Sequence, residues 1–214
     1  MNKLLPLLLV GFLVSVRADE SGSAVPAPGS TGQTVETIVC IRHGEKPPGG
    51  RGQLNCRGLN RALALPDVLL GKYGTPQYIF APNPSQIADG NPDYYYVRPL
   101  VTIEPTAIRC GLPVNTRFGF KEIGPLEKEL QQPKYRNATI FVAWEHLLLD
   151  QFAKNMIKDN GADQKAVPDW PGNDYDTIFV FKFTTVNGHT QFSWTIDHEN
   201  LNRLSEAYPK IAKE

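Results

Sequence analysis

The sequence has no excess charge of either sign, because 22 lysine and arginine residues balance 22 aspartate and glutamate residues among its 214. Without a basic excess, the chain lacks the broad positive surface that binds a polyanion, and we expect no nucleic-acid partner. Any phosphate binding would have to depend on a local cluster of basic side chains. The length suggests one domain, and the composition is that of an ordinary soluble globular protein.

Long apolar segments are also scarce, and the most apolar one lies at the amino terminus. Residues 4–16 are almost entirely apolar, but Pro6 and Gly11 interrupt this run, which is short for a membrane span. It follows Lys3 and precedes Ala18, as in a secretory signal peptide that is cleaved after Ala18. No cysteine stands at the end of the run, which argues against a lipoprotein. An uncleaved membrane anchor is the alternative.

We therefore expect three segments along the chain. Residues 1–18 are expected to be a signal peptide, residues 19–34 a flexible leader rich in Ser, Gly, Ala and Pro, and residues 35–214 one domain. Cleavage removes Lys3 and Arg17 from the 22 basic residues, which leaves 20 against 22 acidic ones and a nearly neutral mature protein. The expected location is secreted or periplasmic, with no stable membrane span after cleavage.

Cysteine is rare, with three residues at Cys40, Cys56 and Cys110. Export into an oxidising compartment is compatible with one disulfide and one buried thiol. Cys40 lies within an apolar run and is the best candidate for the buried thiol. By elimination, Cys56 and Cys110 would then form the disulfide.

The most informative stretch begins with the apolar, β-branched residues 37–41 and stops at Arg42, His43 and Gly44, before a loop rich in Pro and Gly. This pattern predicts a buried strand that delivers an arginine and a histidine to its carboxyl end, where ligands bind in open α/β sheets. A guanidinium fork suits phosphate oxygens, and a neutral imidazole can attack phosphorus. A histidine that merely caps a turn is the alternative.

Strands and helices alternate along the rest of the chain. Hydrophobic patterns predict strands at residues 78–81, 113–115, 137–144, 177–183 and 190–196, and helices at residues 55–70, 99–109, 125–131, 147–158 and 199–207. Asn187-Gly188 is typical of a hairpin turn between the last two strands. This order predicts a three-layer α/β/α sandwich with a mostly parallel mixed sheet.

A second histidine, His146, follows the strand predicted at residues 137–144. Because the carboxyl ends of neighbouring parallel strands lie side by side, the imidazoles of His43 and His146 could face each other across the site. Two histidines in the same structural context, with Arg42 beside one of them, indicate a site more strongly than either alone.

The motifs resemble those of the histidine phosphatase superfamily, which has the phosphoglycerate-mutase-like fold. Ile41 to Glu45 is similar to its Arg-His-Gly signature, and residues 54–62 are similar to its Leu-Thr-x-x-Gly-x-x-Gln-Ala helix start. Residues 98–114 are similar to its Arg-Ala-x-Gln-Thr-Ala-x-Pro helix, which ends in Gly-Leu-Pro-Val, and residues 140–146 to the strand with its second histidine. The motifs occur in order between residues 35 and 196.

The resemblance implies a role for each matching residue. His43 would be the nucleophile and form a phosphohistidine, Arg42 and Arg98 would bind the phosphoryl oxygens, and His146 would complete the catalytic anion pocket. Phosphoryl transfer needs mainly in-line positioning and positive charge around the equatorial oxygens, so no metal or cofactor is expected. The expected partner is a small phosphorylated substrate, hydrolysed as a phosphomonoester. A non-catalytic phospho-ligand binding protein and a phosphomutase are the alternatives.

The general acid is assigned by the same resemblance. Glu122 occupies the loop position where the family often has its acid, and Glu145 is the rival, because another branch keeps its acid beside the second histidine. The chain departs from the family at Leu147, where many relatives have Gly, and at Lys46, where acid phosphatases have another Arg. Loops at residues 82–97 and 163–176 are expected to shape an open pocket.

Overall fold

The computed structural model describes residues 32–85 and 94–210. The expected signal peptide and the leader up to residue 31 lie outside these described residues. The strands are β1 (Thr34–Arg42), β2 (Tyr78–Phe80), β3 (Val114–Asn115), β4 (Thr139–Trp144), β5 (Thr177–Val186) and β6 (His189–His198). The helices are α1 (Cys56–Tyr73), α2 (Arg98–Cys110), α3 (Ile123–Leu130) and α4 (His146–Asp159), with short 3₁₀ turns at Pro133–Tyr135 and Gln164–Ala166.

The six strands form one mixed sheet in the order β3-β2-β4-β1-β5-β6. The first four are parallel neighbours, whereas β5 pairs antiparallel with β1 and with β6. Asn187 and Gly188 both have positive φ, 51° and 81°, which the tight turn between β5 and β6 requires. The expected mostly parallel sheet and its final hairpin are confirmed.

Successive side chains of β1 point to opposite faces of the sheet and belong to two separate hydrophobic cores. Ile38 and Cys40 pack with residues of α3 and α4 on one face of the sheet. Val39 and Ile41 pack with residues of α1 and α2 on the other face. Helices therefore cover both faces, which confirms the three-layer α/β/α sandwich, and β1 is buried between them.

Capping residues mark the start of α1 and the end of α2, the two helices that flank the candidate site. Asn55 caps α1, and its side chain accepts the Gly58 N–H at 2.9 Å. The helix runs to Tyr73 and ends at Gly74, so the expected end near residue 70 is too early. Gly111, with φ of 65°, ends α2 as expected.

The packed face of α1 differs from the expected one. Helical spacing groups Leu59, Ala62 and Leu63 on one face and predicts that this face packs on the sheet, but Leu63 is 51% exposed, whereas Arg61 is fully buried. Arg61 is buried because carboxylates surround its guanidinium, as described below, and hydrophobic periodicity alone does not predict such a partner.

The helix expected at residues 199–207 is absent, since this part of the chain contains only turns and bends. Side chains of α1 bind its backbone instead. Asn60 Nδ2 donates to the carbonyl oxygens of Ser205 and Ala207 at 2.8 and 2.9 Å, and Arg57 Nε donates to that of Leu204 at 3.3 Å. These bonds satisfy carbonyl groups that a helix would have used internally.

The three cysteines, all among the described residues, are free thiols, so the expected pairing of Cys56 with Cys110 is wrong. Cys56 begins α1 and Cys110 ends α2. Both helices connect parallel strands and run in the same direction, which places the two thiols at opposite ends of the helical layer. Cys40 is buried as expected, and burial raises the pKa of its thiol. Within residues 32–85 and 94–210, no helix is long and apolar enough to cross a membrane.

Candidate active site

The imidazole of His43, which directly follows β1, is held in one orientation by its own loop. Its Nδ1 lies 2.7 Å from the carbonyl oxygen of Gly44. Because a carbonyl oxygen can only accept, Nδ1 carries the proton and Nε2 keeps its lone pair. The Gly44 N–H donates to Thr102 Oγ1 at 2.9 Å, and Thr102 donates to the carbonyl oxygen of Arg98 at 2.8 Å. The start of α2 thereby supports the loop that orients the imidazole.

Burial and two guanidinium groups keep His43 neutral. The residue is 2% exposed, and desolvation, followed by the positive charges of Arg98 and Arg42, lowers its pKa to about 3. The hydrogen bond to Gly44 and the carboxylate of Glu145 oppose this shift without cancelling it. At neutral pH the ring is therefore in the form that can attack phosphorus.

Arg42, the last residue of β1, is hydrogen-bonded to the loop that precedes β5. Its Nη1 donates to the carbonyl oxygens of Pro171, Gly172 and Asp174 at 3.4, 3.0 and 2.6 Å. Its guanidinium carbon lies 3.9 Å from the centre of the Tyr175 ring. Its Nε is buried and has no hydrogen-bond partner among the described residues. A bound oxyanion would supply the acceptor that Nε lacks.

Arg98 begins α2 and is buried beside Tyr96. Its guanidinium carbon lies 4.6 Å from the centre of the Tyr96 ring, and its Nη1 donates to the carbonyl oxygen of Gly50 at 3.3 Å. The Tyr96 ring meets that of His43 edge-on, with centroids 6.0 Å apart. Tyr96 therefore packs its loop down against the site, while the adjacent Tyr95 is exposed.

The end of β4 places Glu145 close to His43. Arg42 and Trp144 are register partners, so the next residues, His43 and Glu145, leave the sheet side by side. Burial lowers the pKa of both Arg42 and His43, and the negative charge of Glu145 opposes this lowering in each. His146 begins α4, and its Nδ1 lies 2.6 Å from Glu145 Oε1. A carboxylate therefore lies close to His43, and the expected facing of the His43 and His146 imidazoles stays a prediction.

Glu145 also caps α4, which influences its protonation. Its Oε2 accepts the Leu148 N–H at 3.0 Å. Burial alone would raise its pKa, but hydrogen bonds from His146 and from the N–H groups of Leu147 and Leu148 outweigh burial and lower it. Glu145 is therefore ionised at neutral pH in the free protein.

Glu122, the first choice for the general acid, is exposed and contacts its own loop. Its Oε2 accepts the Gly119 N–H at 2.6 Å. The loop reaches the site through Phe120, whose ring lies 4.9 Å from that of Tyr96 and whose carbonyl oxygen accepts Trp144 Nε1–H at 2.8 Å. The role of Glu122 as acid stays a prediction.

A cleft of about 670 Å³ is lined by Lys46, Pro47, Pro48, Gly49, Gly50 and Tyr175. The Tyr175 ring centroid is 6.1 Å from that of His43, so this cleft leads toward the imidazole. Lys46 is among the residues that line it. Among the described residues, no group of three or more His, Cys, Asp or Glu side chains is placed to hold a metal ion.

Sequence reasoning missed Tyr175, Thr102 and the carbonyl groups of residues 171–174. Tyr175 is the aromatic residue of a Pro/Gly/Asp-rich loop just before β5, and that context was the available signal. Nothing local marks Thr102, because its partner Gly44 is 58 residues away in the chain.

The chain is similar to solved structures of other proteins. No family model and no curated protein matches the sequence. A candidate phosphohistidine phosphatase, SixA, from Nakamurella multipartitia is 15% identical, with a TM-score of 0.52 over 77% of this chain and 96% of that chain. Phosphoglycerate mutase from Plasmodium falciparum is 10% identical, with a TM-score of 0.48 over 85% and 99% of the two chains. A candidate SixA from Agrobacterium tumefaciens is 13% identical, with a TM-score of 0.46 over 74% and 97%.

At these identities the similarity establishes a fold rather than a reaction. The Nakamurella structure carries this conclusion, because almost its whole length matches this chain. The described part of the chain therefore has the phosphoglycerate-mutase-like fold that the sequence motifs predict.

Proposed function

We propose that this protein is an exported phosphatase that hydrolyses phosphomonoesters through a covalent phosphohistidine on His43. The observation that supports it most is the state of the His43 ring. Its proton is held on Nδ1 by the Gly44 carbonyl oxygen, and its pKa is lowered to about 3, so Nε2 is a free nucleophile beside two guanidinium groups. Export rests on the signal-peptide pattern of residues 1–18.

The first step transfers the phosphoryl group to the protein. His43 Nε2 attacks phosphorus, the N–P bond forms, the ester P–O bond breaks, and the leaving oxygen takes a proton from an acid. Arg42 and Arg98 bind the equatorial oxygens, whose charge they stabilise in a buried site. The unsatisfied Nε of Arg42 is a donor suited to one of these oxygens.

The second step releases inorganic phosphate. A water molecule attacks phosphorus, the N–P bond breaks, and its electron pair returns to Nε2, while the proton lost by water goes to the carboxylate left by the first step. Glu145 is favoured as this acid and base by its place beside His43 and Arg42. A bound phosphate dianion would raise the pKa of its carboxyl and so favour the protonated form.

Trapping of the phosphoenzyme tests the proposal. Rapid quenching of the wild-type protein with a phosphomonoester should yield an acid-labile, base-stable phosphoprotein, and the His43→Ala variant should yield none. A wild-type protein that binds phosphate but never becomes labelled would instead be a phospho-ligand binding protein. Transfer of the phosphoryl group to a second substrate molecule rather than to water would identify a phosphomutase.

The leaving-group dependence of the rate identifies the acid. Loss of the acid should slow hydrolysis of alkyl phosphates far more than that of 4-nitrophenyl phosphate, whose leaving group needs no proton. We expect this pattern for Glu145→Gln and not for Glu122→Gln. The reverse pattern would assign the acid to Glu122. Export is tested separately, by a mature amino terminus at Asp19 in protein recovered outside the cytoplasm.

A further inference from the structure

A buried arginine on α1 joins the two loops that hold the site. Arg61 is fully buried, and its Nε and Nη2 donate to the two carboxylate oxygens of Glu45 at 3.0 and 2.8 Å. Its Nη1 donates to Glu199 and lies 3.9 Å from Asp176 Oδ1. A guanidinium bound at two points fixes the direction of a carboxylate as well as its distance.

Glu45 lies two residues after His43, in the loop that sets the tautomer of the imidazole. Its carbonyl oxygen accepts the Asn55 N–H at 2.9 Å, and a Cβ atom on Gly58 would lie 2.4 Å from that oxygen. The loop is therefore pressed against the start of α1, and Arg61 holds its side chain from the next turn of the helix. Gly44, whose carbonyl oxygen binds His43 Nδ1, lies between the two held residues.

Asp176 connects the same guanidinium to the Arg42 side of the site. It directly follows Tyr175, whose ring lies against Arg42. Asp176 Oδ1 accepts the Leu201 N–H at 3.0 Å, and its carbonyl oxygen accepts the Glu199 N–H at 2.8 Å. Carboxylates from three separate segments thus meet on one arginine.

We propose that Arg61 is a positioning residue for the nucleophile: by holding Glu45, it keeps the Gly44 carbonyl oxygen in line with His43 Nδ1 and so keeps Nε2 unprotonated and aimed at phosphorus. This inference rests on the proposed function, because the role belongs to that reaction. Arg61 contacts no reacting atom and acts through Glu45 and its loop.

Two variants weaken the contact between Arg61 and Glu45 in different ways. Arg61→Lys keeps the positive charge but loses the two-point contact with Glu45. Glu45→Gln removes the negative charge from the same contact and leaves Arg61 in place beside Glu199 and Asp176. Arg57→Lys is the matched control, since Arg57 lies one turn earlier and binds Leu204 and Glu206 rather than Glu45.

Two measurements on the full-length protein decide the proposal. In Arg61→Lys and Glu45→Gln, the single-turnover rate of phosphoenzyme formation should fall about 10- to 100-fold with little change in KM, because misplacement by about 1 Å can cost a hundredfold. Nitrogen NMR of the His43 ring should show loss of the pure Nδ1–H tautomer. Arg57→Lys should match the wild-type protein in both the rate of phosphoenzyme formation and the tautomer of His43.

Wild-type rates and a wild-type tautomer in folded Arg61→Lys and Glu45→Gln would overturn the proposal, with thermal unfolding confirming that each variant is folded. The tautomer measurement needs no turnover. If the wild-type protein forms no phosphohistidine, the proposed function fails, whereas the NMR spectra still decide whether Arg61 sets the state of the imidazole.

Discussion

The hydroxyl of Thr102 accepts the backbone N–H of Gly44 at 2.9 Å, which joins α2 to the loop that follows His43. Thr102→Val would leave that buried N–H without a partner. We expect the free energy of unfolding to fall by about 1–3 kcal/mol, the usual cost of an unsatisfied buried donor. Chemical denaturation of the two proteins measures the difference.

Thr106, one turn later on α2, is the control. Its hydroxyl is buried but has no hydrogen-bond partner among the described residues. Thr106→Val should therefore leave stability unchanged or raise it by up to about 1–3 kcal/mol, the cost of burying an unpaired hydroxyl. Equal losses in the two variants would show that the Thr102 hydroxyl has no special role.

The backbone of Glu45 lies so close to α1 that there is no room for a side chain at Gly58. A Cβ atom there would lie 2.4 Å from the Glu45 carbonyl oxygen and 2.8 Å from the Glu45 backbone nitrogen. We expect Gly58→Ala to lower stability by about 1–3 kcal/mol through overpacking, and to reduce phosphatase activity because the displaced loop carries His43.

Gly71 on the same helix has open space around it. Gly71→Ala should stabilise the protein by about 0.5–1 kcal/mol, since alanine is the better helix former, and activity should not change. Thermal unfolding and activity assays of Gly58→Ala and Gly71→Ala measure these changes. The comparison distinguishes the steric clash at Gly58 from the general effect of replacing a helical glycine by alanine.

The contact between Arg42 and Tyr175 should contribute to phosphate affinity. Tyr175→Leu removes a cation–π contact worth about 2 kcal/mol when it is desolvated, which corresponds to about 30-fold in affinity. Titration calorimetry with inorganic phosphate should show this loss. Tyr175→Phe retains the ring and should bind almost as tightly as the wild-type protein, and an equal loss in both variants would point to the phenol hydroxyl instead.

Glu199 should make stability fall as pH rises. Burial, opposed by Arg61, raises its pKa to about 8 from an ordinary value of 4.5. Between these values the folded protein keeps a proton that the unfolded chain has lost, so unfolding releases a proton and higher pH favours it. This stabilisation is complete below about pH 4.5 and is lost as pH rises through about 8.

Glu199→Gln cannot release this proton. The stability of the wild-type protein relative to Glu199→Gln should therefore fall by up to about 1.4 kcal/mol per pH unit across that window. Denaturation at several pH values measures the slope. Glu206→Gln, a change at an exposed carboxylate, is the control and should run parallel to the wild-type curve. A pH-independent difference for Glu199→Gln would contradict the prediction.

Local patterns were sufficient for much of the fold. The apolar run before Arg42 predicts β1, Gly111 marks the end of α2, and Asn187-Gly188 marks the final hairpin, because each signal acts on the backbone within a few residues. Arg42 and His43 could be proposed as site residues for the same reason, since they stand at the end of β1, whereas Arg98 was proposed only through the resemblance of residues 98–114. The expected helix at residues 199–207 failed because side chains of α1 supply its hydrogen bonds.

The sequence by itself determined where the strands end and which basic and nucleophilic residues stand there. The tertiary structure alone showed that Glu145 lies close to His43, because the register that pairs Arg42 with Trp144 brings the ends of β1 and β4 together. It also decided the burial of Arg61, which carboxylates from distant segments make possible. Strand register and buried charge pairs depend on residues far apart in the chain, and local periodicity contains no information about them.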